Sequence, residues 1–129
     1  MILSDYEIGW LVGILEGEGH FDFNGYSQKV QVRLCDEDAM MTYTNLVSRF
    51  LECHVDIKYR EPGGNKQDVY DVVVCGDNAR RLMRLVAPCM HFRRRQKIWQ
   101  SLNSYKAQKK SNTFDFKALI ESKSEGTNK

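Results

Sequence analysis

The apolar positions along the chain change period several times, and each change marks an element. The first is helical. Ser4 stands three residues before Glu7, the spacing of a capping box, and Leu3 and Ile8 sit where a hydrophobic staple would close it. The helix then runs through "IGWLVGIL" to about Glu16. "GHFDF" alternates instead, which predicts a strand with Phe21 and Phe23 on one side. "NGYS" is a turn signal, and "KVQVRL" alternates again, with Val30, Val32 and Leu34 inward, so the two strands form a hairpin.

A second helix follows over "DEDAMMTYTNLVSRFL". Asp36, Glu37 and Asp38 favour its positive N-terminal end, and Met40, Tyr43, Leu46, Val47 and Phe50 form its apolar stripe. "HVDIKYR" alternates, with Val55, Ile57 and Tyr59 against His54, Asp56, Lys58 and Arg60. "EPGGNKQ" is a loop, and "DVYDVVV" a fourth strand whose pattern leaves its facing open. "DNARRLMRLVA" gives a third helix ended near Pro88. "HFRRRQKIWQSLNSYK" gives a fourth, with Ile98, Trp99, Leu102 and Tyr105 on its apolar face.

The resulting order is α-β-β-α-β-β-α-α. Two helix-plus-hairpin units predict an α+β domain, one four-stranded antiparallel sheet with helices on one face. The domain is expected over residues 1–107, with a polar tail over 108–129 and a short turn around Phe114–Ile120. The other sheet face then carries His20, Asp22, Lys29, Gln31, Arg33, His54, Asp56, Lys58 and Arg60. Solvation is the plain explanation of such a face.

Charge alters that picture. Residues 1–90 hold nine Lys+Arg against fourteen Asp+Glu, whereas residues 91–110 hold seven basic residues and no acid. This polarity, hidden in a net charge of +2, points to an anionic partner or a solvated basic helix. The four cysteines form no C-x-x-C pair and no zinc-like cluster, which fits reduced thiols in an intracellular protein. Secretory signal and membrane-span patterns are absent.

The first helix carries the most specific signal. Gly9, Gly13 and Gly17 lie four apart and form one stripe. Each interior glycine costs a helix roughly 1 kcal/mol relative to alanine, so close approach of another backbone is the expected return. That partner is the sheet of the same chain or a second helix. The helix ends in "EGEG", which sets Glu18 at the mouth of the first strand. A carboxylate beside exposed backbone carbonyls is a hard oxygen donor set suited to Mg²⁺, and Mg²⁺ next to a basic surface suggests phosphodiester hydrolysis.

The segment Leu11-Val12-Gly13-Ile14-Leu15-Glu16-Gly17-Glu18-Gly19 resembles the signature of the LAGLIDADG homing endonucleases, and the element order extends the resemblance over about residues 4–105. Leu11, Gly13 and Gly19 match outright, and both acidic positions hold Glu in place of Asp. The resemblance implies an αββαββα fold plus a C-terminal helix. With one motif per chain it implies a homodimer joined along the motif helices, with Gly9, Gly13 and Glu16 at the interface. It implies that Glu18 and the Gly17 carbonyl bind Mg²⁺ (or Mn²⁺) and that Glu18 is catalytic. A basic residue after Pro88 would complete the site: Arg93 first, Arg95 and Lys97 as alternates that otherwise contact DNA. The outward strand residues, with Asn24 in the adjoining turn, would bind double-stranded DNA. The implied activity is site-specific cutting of both strands at a long near-palindromic site, leaving short 3′ overhangs.

Many members place Gln or a basic residue at the start of the second helix, where this chain has "LCDEDA" and Asp36. That departure keeps a second reading open, a cleavage-inactive DNA-binding protein or intron-splicing maturase of the same fold. An unrelated protein-interaction domain is the third.

Overall fold

The computed structural model describes residues 2–60 and 68–104. The expected loop over 61–67, Tyr105, and everything expected of the chain beyond it lie outside the described residues. Helix α1 covers Asp5–Glu18, and its capping box forms as read: the Glu7 N–H donates to Ser4 Oγ at 3.1 Å and the Ser4 N–H to Glu7 Oε1 at 2.9 Å. Leu3 is buried and Ile8 packs against the core, which completes the staple. The helix runs two residues beyond the expected end at Glu16. The Gly19 N–H donates to the Leu15 carbonyl, which holds Glu18 in the last turn.

Strands β1, Gly19–Phe23, and β2, Gln28–Leu34, pair antiparallel from Gly19↔Val32 to Phe23↔Gln28. Asn24 closes their turn by accepting from the N–H groups of Tyr26 and Ser27, each at 3.0 Å, and Gly25 takes φ 97°, a conformation that favours glycine. Helix α2, Glu37–Leu51, begins at Asp36, which accepts from the Ala39 N–H at 3.2 Å. Strands β3, Lys58–Arg60, and β4, Val69–Cys75, precede helix α3, Gly76–Val86. A short 3₁₀ turn, Ala87–Cys89, carries Pro88, and helix α4 runs over 92–104.

The protein is therefore an α+β domain with one antiparallel sheet, in the order β1-β2-β4-β3. Phe21, Val30, Val32, Val72 and Val74 are buried on its inner face. Against them pack Leu11 and Leu15 of α1, Met40, Tyr43, Leu46 and Val47 of α2, Leu82, Met83 and Val86 of α3, and Ile98 and Leu102 of α4. Phe50 packs on the rim of this cluster.

Three expectations change in detail. The segment 54–57 lies outside the sheet, so β3 is three residues long rather than seven. Glu52 adopts φ 56°, ψ 40° and turns the chain at the end of α2, after which Val55 is buried in the core and pairing with β4 starts only at Lys58. Tyr59 shares the inner parity yet is 52% exposed. It lies at the sheet edge, its ring 5.4 Å from that of Tyr70, its hydroxyl donating to Asp68. Trp99 is also largely exposed, because it sits roughly 100° around α4 from the buried Ile98. Ser101 is buried in its place.

Candidate functional site

Glycine governs the junction of α1 and β1 in two distinct ways. Gly19 has an extended backbone that any residue can adopt, but a Cβ there would lie 2.6 Å from the Leu15 carbonyl oxygen. The close turn into β1 therefore requires its missing side chain. Gly9, Gly13 and Gly17 show the reverse. All three are exposed, and a Cβ on any of them would meet nothing within 4 Å. Leu11 and Leu15, on the other side of the same helix, are completely buried. Packing within the chain thus accounts for the leucines and leaves the glycine stripe open.

The two carboxylates of "EGEG" have different surroundings. Glu16 accepts from the His91 N–H at 3.2 Å through Oε2, and its Oε1 lies 3.1 Å from His91 Nδ1. The His91 carbonyl accepts from the Arg95 N–H at 2.9 Å, so His91 stands at the start of α4 and Glu16 ties that start to α1. Glu18 is exposed, and its carboxylate makes no hydrogen bond or ion pair with any described residue. Glu18 ends the last turn of α1, where the carbonyls beyond that of Leu15 lack intrahelical donors.

The basic stretch at the start of α4 divides by direction. Arg94 faces inward and donates to the Gly19 carbonyl, directly after Glu18. Arg93, Arg95 and Lys97 are exposed. Lys97 lines a cleft of about 200 Å³ with Asp22, Phe23 and Ser101, and Ser101 Oγ donates to the Asp22 carbonyl at 3.3 Å. Arg93, one turn before Lys97, shares its side of the helix. From the sequence, Arg94 is one of four basic residues (with Arg93, Arg95 and Lys97) that cannot all face the same way, and it carries no role of its own because position on a basic run says nothing of facing. The inward period of Ile98, Ser101 and Leu102 extends backward to Arg94 and supplies that signal.

The outer sheet face holds the expected strand residues. His20 pairs with Gln31, Asp22 with Lys29, Arg33 with Asp71, Lys58 with Asp71, and Arg60 with Val69. His54 and Asp56 are not on a strand. Their side chains meet at 2.6 Å, and with Lys58, Val73 and Cys75 they border a cleft of about 370 Å³ at the sheet rim. The open facing of β4 resolves with Val72 and Val74 inward and Asp71 and Val73 outward.

Asp71 is a residue the sequence reading missed. It is 8% exposed, and both its oxygens accept from Gln31 Nε2, at 2.9 and 3.1 Å. Its signal lay in register: Arg33 and Lys58 both face it from neighbouring strands.

Glu18 is the hard-ligand candidate of one chain. Among the described residues no group of three or more His, Cys, Asp and Glu could hold a metal ion. Among them, too, no helix is long and apolar enough to cross a membrane. Comparison with known proteins finds no matching family model, no matching curated protein and no matching solved structure.

Proposed function

We propose that the protein is a metal-dependent, site-specific DNA endonuclease of the LAGLIDADG homing type, working as a homodimer. One observation carries the reading. An open glycine stripe on α1 leads to an unengaged carboxylate, Glu18, at the border of a polar sheet face flanked by a basic helix. Two copies pairing along that stripe would bring two Glu18 carboxylates together at one end of a continuous two-fold surface. That surface suits two DNA half-sites in inverted order.

The donor set would fit a hard cation only when two chains combine, since among the described residues no group of three or more His, Cys, Asp and Glu could hold a metal within one chain. Glu18 and the Gly17 carbonyl would hold Mg²⁺ (or Mn²⁺), which when bound supplies Lewis-acid neutralisation of charge at a phosphate. Arg93, exposed and adjacent in the chain to the Arg94 that binds the Gly19 carbonyl, is assigned to stabilising the charged phosphoryl group. Arg94, held on the Gly19 carbonyl, fixes the junction instead. Arg95 and Lys97 are assigned to the DNA backbone, where cations raise affinity by releasing counterions.

A second reading, DNA binding or intron splicing without cleavage, is favoured by one feature. Asp36, at the start of α2, caps its helix on Ala39 and is no solvent-positioning Gln or cation. Incubation with source DNA separates the readings. Cutting with Mg²⁺ but not Ca²⁺, abolished in Glu18→Gln with binding retained, supports the endonuclease. Specific binding without cutting supports the second. An uncut, unbound DNA at low salt overturns both.

A further inference from the structure

The outer sheet face carries one acid near its middle that neither metal binding nor phosphate contact uses. Asp71 of β4 stands between Arg33 of β2 and Lys58 of β3 in the pairing register. A carboxylate there opposes affinity for a polyanion. Its pairing with Arg33, at 3.7 Å and with the arginine half exposed, adds little stability to set against that. Its closer partner is Gln31, the diagonal neighbour on β2, whose amide nitrogen meets both carboxylate oxygens.

That contact determines which way the amide turns. An ionised carboxylate only accepts hydrogen bonds, so the NH₂ of Gln31 faces Asp71 and Oε1 faces away. A flipped amide would set Oε1 against two anionic oxygens. Among the described residues nothing donates to Oε1. Gln31 therefore presents an acceptor in a fixed direction, with its second N–H beside it. In the major groove, adenine offers the matching pattern, a donor at N6 and an acceptor at N7, whereas guanine offers two acceptors.

We infer that Asp71 is a positioning residue: it holds the Gln31 amide in one orientation, so that Gln31 selects adenine over guanine at one base pair of each half-site. The inference rests on the DNA-binding reading of this face. It assigns to Asp71 a role in choosing sequence at the cost of general affinity.

The test is selection from a randomised duplex library by the full chain in Ca²⁺, followed by competition binding at two salt concentrations. In Asp71→Asn, which keeps the shape and removes the charge, one position should lose about tenfold of its adenine-over-guanine preference, the lower end of what a bidentate contact supplies. Binding to unrelated duplex should strengthen at the same time. A role confined to the fold would weaken binding to every duplex alike. Gln31→Ala should lose the preference at the same position, and Asp71→Asn added to it should change nothing further there. The inference is overturned if Asp71→Asn keeps the wild-type preference, or shifts a position that Gln31→Ala leaves alone. Gln31→Ala tests it without Asp71: no position losing its preference overturns it as well. Absence of salt-sensitive binding by the wild type overturns the endonuclease reading together with this one. Selective wild-type binding that Asp71→Asn leaves unaltered overturns this one alone.

Discussion

Gly19 and Gly13 stand six residues apart and answer to different constraints. At Gly19 a methyl group would collide with the Leu15 carbonyl, which belongs to the backbone and has little room to move. Gly19→Ala should cost about 1–3 kcal/mol, the range for overpacking, read as a lowered urea midpoint. An unchanged midpoint would mean that the α1–β1 turn opens freely. At Gly13 the space is empty, so alanine should raise the stability of a lone chain by roughly 1 kcal/mol through helix preference. In the proposed dimer Gly13→Leu should instead separate the two chains, because a branched side chain would hold two motif helices apart. Sedimentation of Gly13→Leu as a stable active dimer would move the interface away from the stripe. The glycines were visible in the sequence. Which of them served the chain's own fold and which did not depended on where α1 turns into β1, and no spacing encodes that.

Among the elements, α1 and α2 are joined by an ion pair that gives acid stability a definite sign. Arg49 Nη1 lies 2.6 Å from Glu7 Oε2, and the same carboxylate accepts from the Ser4 N–H. The Arg49 hydrogen bond, with the cap bond behind it, lowers the Glu7 pKa from 4.5 to about 2. The folded value lies below the unfolded one, so the contribution is whole above about pH 4.5 and is lost as pH falls towards 2. Urea midpoints of wild type and Glu7→Gln should differ at neutral pH and converge across that window. Parallel curves throughout would remove Glu7 as the linked group. Caps, hairpin and helical stripes were legible because each is local: Ser4 finds Glu7, and Asn24 finds Ser27. The shortness of β3 was not, because it depends on the turn at Glu52 and the burial of Val55, nor was the facing of β4, whose pairing with β2 joins residues tens of positions apart. Asp71 escaped notice for the same reason. Alternation of Val72 and Val74 against Asp71 and Val73 has no preferred face until β2 supplies a register.

At the scale of the whole molecule, a buried polar network anchors the basic helix. Gln28 is fully buried, accepts from Arg80 Nη1 and donates to the Ser101 carbonyl, both at 2.8 Å. It thereby links β2, α3 and α4. Gln28→Ala would leave a buried carbonyl without its donor, at a cost of about 1–3 kcal/mol, and should speed amide exchange across 92–104. Exchange unchanged in that helix would show that Ile98 and Leu102 hold it alone. At its other end α4 is fastened to the α1–β1 junction twice, by Glu16 of α1 on His91 and by Arg94 on Gly19, the first residue of β1. Motif helix and basic helix are thus one rigid bracket. In a two-fold pair, two such brackets would meet back to back and act as a calliper whose jaws cannot slide. A calliper measures length. One base pair inserted between half-sites moves them about 3.4 Å apart and turns one against the other by roughly a tenth of a helical turn. If the protein is the endonuclease proposed, each half-site should still be gripped, while the cut, which needs both jaws seated at once, should vanish.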